Sequence, residues 1–404
     1  MRVYRRIALL VVVLLTSAAC PGPRPAEPSP KPPPGPGPRV VGYFTEWGVY
    51  GRNFQVKDLE ASRAAAELTH LVYAFGEVKD GRCTAGDAWA DDHKPVSARR
   101  SVTGGADPAG GDGLRGTIGQ LRTLKADHPG LKILWSFGGW TASAGFHQAA
   151  ADPPTFAASC QALLDDPRWA GVFDGIDIDW EYPNACGRSC DASGPAALPG
   201  LLAALRSAFG PDRLVTAAVP GEVGKLHAGG FAAAAKSVDW LGAMTYDYFG
   251  TSTPDGPTAP HSPLTAYPGI PRTDSTTEAT IDAMLGAGIP SGKILLGIGF
   301  YGRGWTGVTG PEPGGRATGQ ADGRYEKGIE DYKILASRCP PTGTIGGTAY
   351  GYCRGEWWGY DTPSTVRAKM AYAKEMHLGG AFAWELSGDT ARADLLNAMS
   401  SGLR

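Results

Sequence analysis

From residue 39 onward, eight short runs rich in β-branched and aromatic residues alternate with Ala/Leu-rich helical stretches, and no other feature narrows the fold as far. The runs are 40–46 (VVGYFTE), 69–76 (THLVYAFG), 132–138 (KILWSFG), 172–179, 214–220 (LVTAAVP), 239–247 (DWLGAMTYD), 293–301 (KILLGIGFY) and 379–385 (GGAFAWE). Strands separated by helix-length connections lie parallel, because each chain segment must cross back to the same end of the sheet. Eight such units in about 360 residues predict an α/β fold, a (β/α)8 TIM barrel with insertions. An open doubly wound sheet obeys the same alternation and is the competing arrangement.

Two segments break the rhythm. Residues 79–113, rich in Gly and Asp, read as a long loop after the second strand. Residues 305–360 separate the seventh strand from the helix before the eighth. Their mixture of aromatic and polar residues (Tyr325, Tyr332, Tyr350, Tyr352, Trp357, Trp358) predicts a small α+β insertion. Both follow strand C-terminal ends, the rim on which barrel sites are built. Within the seventh run and just beyond it, Gly297-Ile298-Gly299-Phe300-Tyr301-Gly302 matches GxGxxG. The Gly/Pro-rich loop that follows opens no helix to receive a pyrophosphate, so the match does not predict nucleotide binding.

The N-terminus reads as a leader. Arg2, Arg5 and Arg6 precede an apolar run from Ile7 to Leu15, too short to span a membrane, and small residues follow. Residues 1–19 are expected to be a signal peptide. Cys20 after Ser17-Ala18-Ala19 resembles a lipoprotein cleavage site, with Ser17 where Leu is usual, and predicts a lipidated mature N-terminus. An ordinary signal peptide cut nearby is the alternative. Residues 20–38 are mostly Pro with Gly and Ser, a composition that forms extended polyproline II and packs no core, hence a linker. Residues 39–404 then form the barrel domain. Seven Cys, less Cys20, leave six to pair in an oxidising compartment. Proximity suggests Cys186 with Cys190 and Cys339 with Cys353, and elimination leaves Cys83 with Cys160, although six Cys allow 15 connectivities. A formal net charge of −2 provides no basic face for nucleic acid or an anionic membrane. No Cys/His spacing resembles a zinc site.

Chemistry concentrates in Asp174-Gly175-Ile176-Asp177-Ile178-Asp179-Trp180-Glu181-Tyr182-Pro183. Side chains two apart on a strand share a face, so Asp177, Asp179 and Glu181 form one acidic row, with Ile176, Ile178 and Trp180 opposite. Asp174 has the other parity, and a structural role is expected for it. Three readings apply: solvated charges at a strand end, oxygen ligands for Mg or Ca, or acid catalysis. In the third, neighbouring carboxylates raise the pKa of Glu181 at the strand end and keep it protonated near neutrality, as a general acid for a glycosidic oxygen requires. A Cα separation of about 6.6 Å between alternate residues fits either the retaining or the inverting carboxyl spacing.

The same stretch resembles the DxxDxDxE signature of the family 18 glycoside hydrolases, the chitinases. Ser136-Phe137-Gly138-Gly139-Trp140 is similar to the family's SxGG motif on the third strand, Met244-Thr245-Tyr246-Asp247 to its MxYD motif on the sixth, and Gly379-Gly380 to Trp384 to its last strand. Gly42-Tyr43-Phe44-Thr45-Glu46-Trp47 and Phe300-Tyr301-Gly302-Arg303-Gly304-Trp305 are also similar. The resemblance implies hydrolysis of β-1,4-linked N-acetylglucosamine polymers by substrate-assisted retention, with no enzyme nucleophile and no cofactor or metal. It implies that Glu181 is the acid, that Asp179 orients the substrate's acetamido group with Asp177 supporting it, and that Tyr246 hydrogen-bonds the acetamido carbonyl. Trp384 is the expected floor of the cleaved subsite. Tyr43, Phe75, Gly139, Trp140, Tyr182, Met244, Asp247, Tyr301 and Arg303 are the further substrate-binding candidates. Trp47, Phe75 and Met244 read equally as barrel core, and Trp305, Trp357 and Trp358 as groove or core. Two alternatives stand beside the chitinase reading: a sugar-binding lectin without activity, disfavoured because Glu181, Asp179 and Tyr246 are all retained, and an endo-β-N-acetylglucosaminidase acting on glycoproteins. The expected partner is chitin or chitooligosaccharide, with no nucleic acid. The protein is expected to be a monomer, secreted or anchored through Cys20 on the outer face of the membrane.

Overall fold

The computed structural model describes residues 37–107, 113–250 and 252–404. The expected signal peptide and Cys20 lie outside the described residues, as does the linker up to residue 36. Eight strands close into a parallel barrel: β1 (Arg39–Thr45), β2 (His70–Lys79), β3 (Lys132–Gly138), β4 (Gly175–Asp179), β5 (Leu214–Pro220), β6 (Trp240–Met244), β7 (Ile294–Gly299) and β8 (Gly380–Trp384). Each pairs with its sequence neighbour, and β1 pairs with both β2 and β8, so no edge is left open. The open doubly wound sheet is thereby excluded.

Two strands are shorter than their sequence runs. The fourth starts at Gly175, not 172, because Asp174 leaves the strand to accept bonds from Lys125 Nζ (2.7 Å) and the Ile133 amide (2.8 Å). That is the structural role expected of it. The sixth ends at Met244, not 247: Thr245 folds back onto the Ala243 carbonyl, and Asp247 takes a left-handed φ of 60°. The turn carries Tyr246 and Asp247 off the strand and onto the rim.

The two faces of the barrel wall are sorted by parity. Ile176, Ile178, Val215, Ala217, Leu241 and Ile298 point outward into the main apolar cluster. Helices Gly116–Asp127, Pro153–Leu164, Ala197–Phe209 and Pro363–Glu375 bury their apolar faces in the same cluster. In Ala197–Phe209 that face is Leu198, Leu201, Leu202, Leu205 and Phe209, three or four apart, which is the helical period. The inward residues Val41, Tyr43, Val72, Ala74, Leu134, Ala218, Trp240, Met244, Leu295 and Phe382 form a second, smaller core inside the barrel.

The segment after β2 is more structured than a loop: Arg82–Thr84 pairs antiparallel with β2, and Trp89–His93 forms one wide helical turn. Between β7 and β8 lies a separate antiparallel sheet built from Tyr301–Thr306, Gly319–Gln320, Ile329–Asp331, Gly343–Ile345, Thr348–Cys353 and Glu356–Tyr360, with the helix Tyr332–Arg338. It begins at Tyr301, ahead of the expected 305. Trp305, Trp357 and Trp358 are fully buried. Trp305 and Trp357 pack with Tyr248, Phe249 and Tyr350 in a cluster of their own, so these indoles are core and not groove. Cysteines pair as 83–160, 186–190 and 339–353.

Candidate active site

The acidic row projects into the barrel mouth from β4. Asp177 is in register with Ser136 on β3 and Thr216 on β5, and both hydroxyls donate to it, at 2.7 and 2.6 Å. Tyr43 reaches across from β1 to donate a third bond, at 2.9 Å. Only 1% exposed, Asp177 has its pKa raised by burial, while the three hydroxyls pull it back toward the ionised form. With both oxygens so occupied, it is a supporting group and not a free ligand.

Asp179, one pleat higher, is 5% exposed, and its Oδ1 has no hydrogen-bond partner among the described residues. Burial pushes its pKa well up, and the Glu181 and Asp177 charges add to the effect. Its backbone carbonyl is well held, accepting from the Gly139 amide at 2.7 Å and from Ser143 Oγ at 3.2 Å. Glu181 follows the strand end, with its amide donating to Ser143 Oγ at 2.9 Å. Burial lifts its carboxyl to about 7 and the Asp247 charge adds to the lift, whereas the Tyr182 hydroxyl and Lys225 pull down. Such an acid is partly protonated at neutral pH, the condition for donating a proton and later accepting one.

Aromatic side chains surround the row. Trp384 stacks on Phe75 (5.6 Å between centroids, 23°) and meets Tyr43 edge-on at 5.5 Å. Tyr246 meets Phe382 and Tyr301 edge-on at 6.1 and 6.2 Å. Gly139 has φ +79°, and a Cβ there would lie 2.5 Å from the Phe75 ring, so only glycine lets that ring approach. Asp247 is held by a two-pronged bond from Arg303, at 2.8 and 2.7 Å. Burial alone would raise its pKa, but the Arg303 guanidinium and the His261 ring hold it well below the usual carboxylate range.

Tyr43, Phe75, Met244, Tyr246, Tyr182 and Trp384 therefore converge on one inner cluster, with Met244 buried in it. Trp140 stands apart on the rim, 52% exposed, and Trp47, also read as core, is 41% exposed beside Phe75 and Trp384. Four neighbours are absent from the sequence reading. The inward parity of the fifth run could have revealed Thr216. Ser143, His261 and Lys225 lie outside the barrel strands, where no periodicity marks them.

Residues 39–389 match the family described as "Glycosyl hydrolases family 18". The chain belongs to this family. As a family 18 protein it is 54% identical over 368 residues to "Chitinase 63" of Streptomyces plicatus, covering 90% of this chain and 60% of that protein. It is 56% identical over 358 residues to "Chitinase C" of Streptomyces lividans, covering 88% and 58%. The chain thus spans about three fifths of the length of these two curated relatives. The solved catalytic domain of psychrophilic chitinase B from Arthrobacter TAD20 superposes with a TM-score of 0.85 at 36% identity, over 91% of this chain and 95% of that one.

Proposed function

We propose that this family 18 protein hydrolyses β-1,4-linked N-acetylglucosamine chains with retention, using the substrate's own acetamido group as nucleophile. The observation that carries the proposal is the buried, unpartnered Oδ1 of Asp179 beside a Glu181 whose pKa is lifted to about 7. Glu181 donates its proton to the glycosidic oxygen as the C–O bond breaks. The acetamido carbonyl oxygen attacks the anomeric carbon, forming an oxazolinium ion. Asp179 accepts the acetamido N–H, orienting that attack, and its charge stabilises the cation in a site from which water is largely excluded. Asp177 steadies Asp179 from below, and Tyr246 donates to the acetamido carbonyl. Water then opens the ring, returning its proton to Glu181. Asp247 is committed to Arg303, which favours a mechanism without an enzyme nucleophile. Trp384 forms the floor under the cleaved sugar, with Tyr43, Phe75 and Met244 behind it. Gly139, Trp140, Tyr182, Asp247, Tyr301 and Arg303 line the remaining groove.

The test is chitotetraose hydrolysis by wild type and Glu181→Gln, with the product anomer followed by NMR. A loss of about 10² to 10⁴-fold is expected for the variant, with the β-anomer formed first by wild type. An inert wild type, an equally active variant or inverted product defeats the proposal. Secretion belongs to the same proposal, supported by three disulfides in the folded domain. So do a lipid on Cys20 and a monomeric state. Mass spectrometry of the mature N-terminus tests the lipid, and light scattering tests the monomer.

A further inference from the structure

The short loop after Glu181 is closed on itself. Cys186 and Cys190 are disulfide-bonded and form an isolated antiparallel bridge, the Gly187 amide donates to the Ser189 carbonyl (3.0 Å), and the Asp191 amide donates to the Ala185 carbonyl (2.9 Å). Its base is held by Asp191, which accepts from the Asn184 amide at 2.7 Å and from Ser193 Oγ at 2.7 Å. Asn184 Nδ2 in turn donates to the Ala228 carbonyl at 3.1 Å. The closed loop is seated directly on the acid. A Cβ at Gly187 would lie 2.4 Å from the Glu181 carbonyl oxygen, 3.0 Å from its carbon and 3.3 Å from Trp140 Cζ3. Distances under about 3 Å are not tolerated between such atoms, so the loop's backbone touches the Glu181 peptide and the Trp140 edge together. On the other side, the Glu181 amide is fixed by Ser143 Oγ. The peptide that carries the acid is thus gripped at its N–H by Ser143 and at its C=O by the loop.

We propose that Gly187, in the loop closed by Cys186–Cys190, is a positioning residue for the Glu181 proton donor. This inference rests on the reading of Glu181 as the general acid. A displaced acid harms substrates unequally. A sugar alkoxide is a poor leaving group and needs the proton, whereas a nitrophenolate departs with little help. Misplacing the donor therefore lowers turnover on a sugar leaving group and spares an aryl one, and a general loss of fold or of sugar binding does not make that distinction.

The experiment compares wild type, Gly187→Ala and the double variant Cys186→Ser/Cys190→Ser, as full chains, on chitotetraose and on nitrophenyl chitobioside. Gly187→Ala is expected to lower kcat on chitotetraose by about tenfold to 10²-fold, the scale of a 1 Å misplacement, and on the aryl substrate by no more than about threefold. The double variant adds no atom against Glu181 and is expected to move the same ratio in the same direction by less. It carries the test should Gly187→Ala not fold. Equal losses on both substrates, or no loss in either variant, overturn the positioning role while leaving the proposed function intact. A wild type inert on both substrates overturns the two together.

Discussion

The molecule holds two buried acid clusters, and they are built differently. The row Asp177, Asp179 and Glu181 comes from one strand and its end. The second cluster, Glu46, Asp87 and Asp91, gathers residues from the turn after β1 and the segment after β2. Tyr73 donates to Asp91 at 2.5 Å, Tyr50 to Asp87 at 2.6 Å, and the Asp87 amide to Glu46 at 3.3 Å. Burial and the Asp91 charge lift Glu46 to about 9, and burial lifts Asp91 to about 7, with a proton shared between them. Both clusters thus hold protons that free carboxyls would lose. They differ in what faces them. The strand row opens onto Trp384, Tyr246 and Trp140, whereas the rim cluster is sealed by the two tyrosines and the Gly86 backbone, where a Cβ would lie 2.9 Å from Glu46 Oε1. A raised pKa therefore marks burial of acids, and only a groove beside them marks chemistry.

The largest effect that separates the two comes from Asp179→Asn. Under the proposed mechanism it lowers kcat by about 10²-fold or more, because the amide cannot stabilise the oxazolinium charge. The same change relieves a buried carboxylate that Glu181 and Asp177 already repel, so the thermal midpoint is expected to rise. Calorimetry alongside kinetics checks both, and a falling midpoint would make Asp179 structural, like the rim acids.

A subtler effect concerns Lys225. Its Nζ lies 4.4 Å from the Tyr182 ring centroid and 3.0 Å from Glu222, and its charge favours ionised Glu181. Wild type is expected to lose kcat/KM as pH rises through about 7, where Glu181 gives up its proton. In Lys225→Met that limb moves to higher pH, since the lost cation no longer lowers the acid's pKa. A limb that stays in place would show that Lys225 acts only on sugar binding.

The two clusters also show how far the sequence can be read. The strand row is legible because period-two spacing survives folding: Asp177 and Asp179 share a face wherever the strand lies. Tyr43 and Trp384 stand in motifs at strand ends. The rim cluster is illegible, because Glu46 and Asp91 meet only through the path of a segment that gives no periodic signal. Lys225 and His261 escape for the same reason, and the buried indoles of the insertion could not be assigned, because aromatic content alone does not say which side of a sheet is covered.

The smallest expected effect tests the rim cluster itself. The folded-state pKa of Glu46, about 9, lies above its unfolded value, so the folded protein binds more protons between the two. The stability this supplies is complete below the unfolded pKa and is lost as pH rises through about 9. A glutamine in place of Glu46 does not titrate, and its amide can donate to Asp91 as the protonated acid does. Glu46→Gln should therefore flatten the fall in thermal midpoint between pH 6 and pH 9, raising it at pH 9 and hardly changing it at pH 6, with hydrolysis at pH 6 unaltered. A midpoint that falls equally at both pH values would mean that Glu46 is held ionised by its neighbours. The rim cluster would then be a charged site, and the contrast with the strand row would collapse.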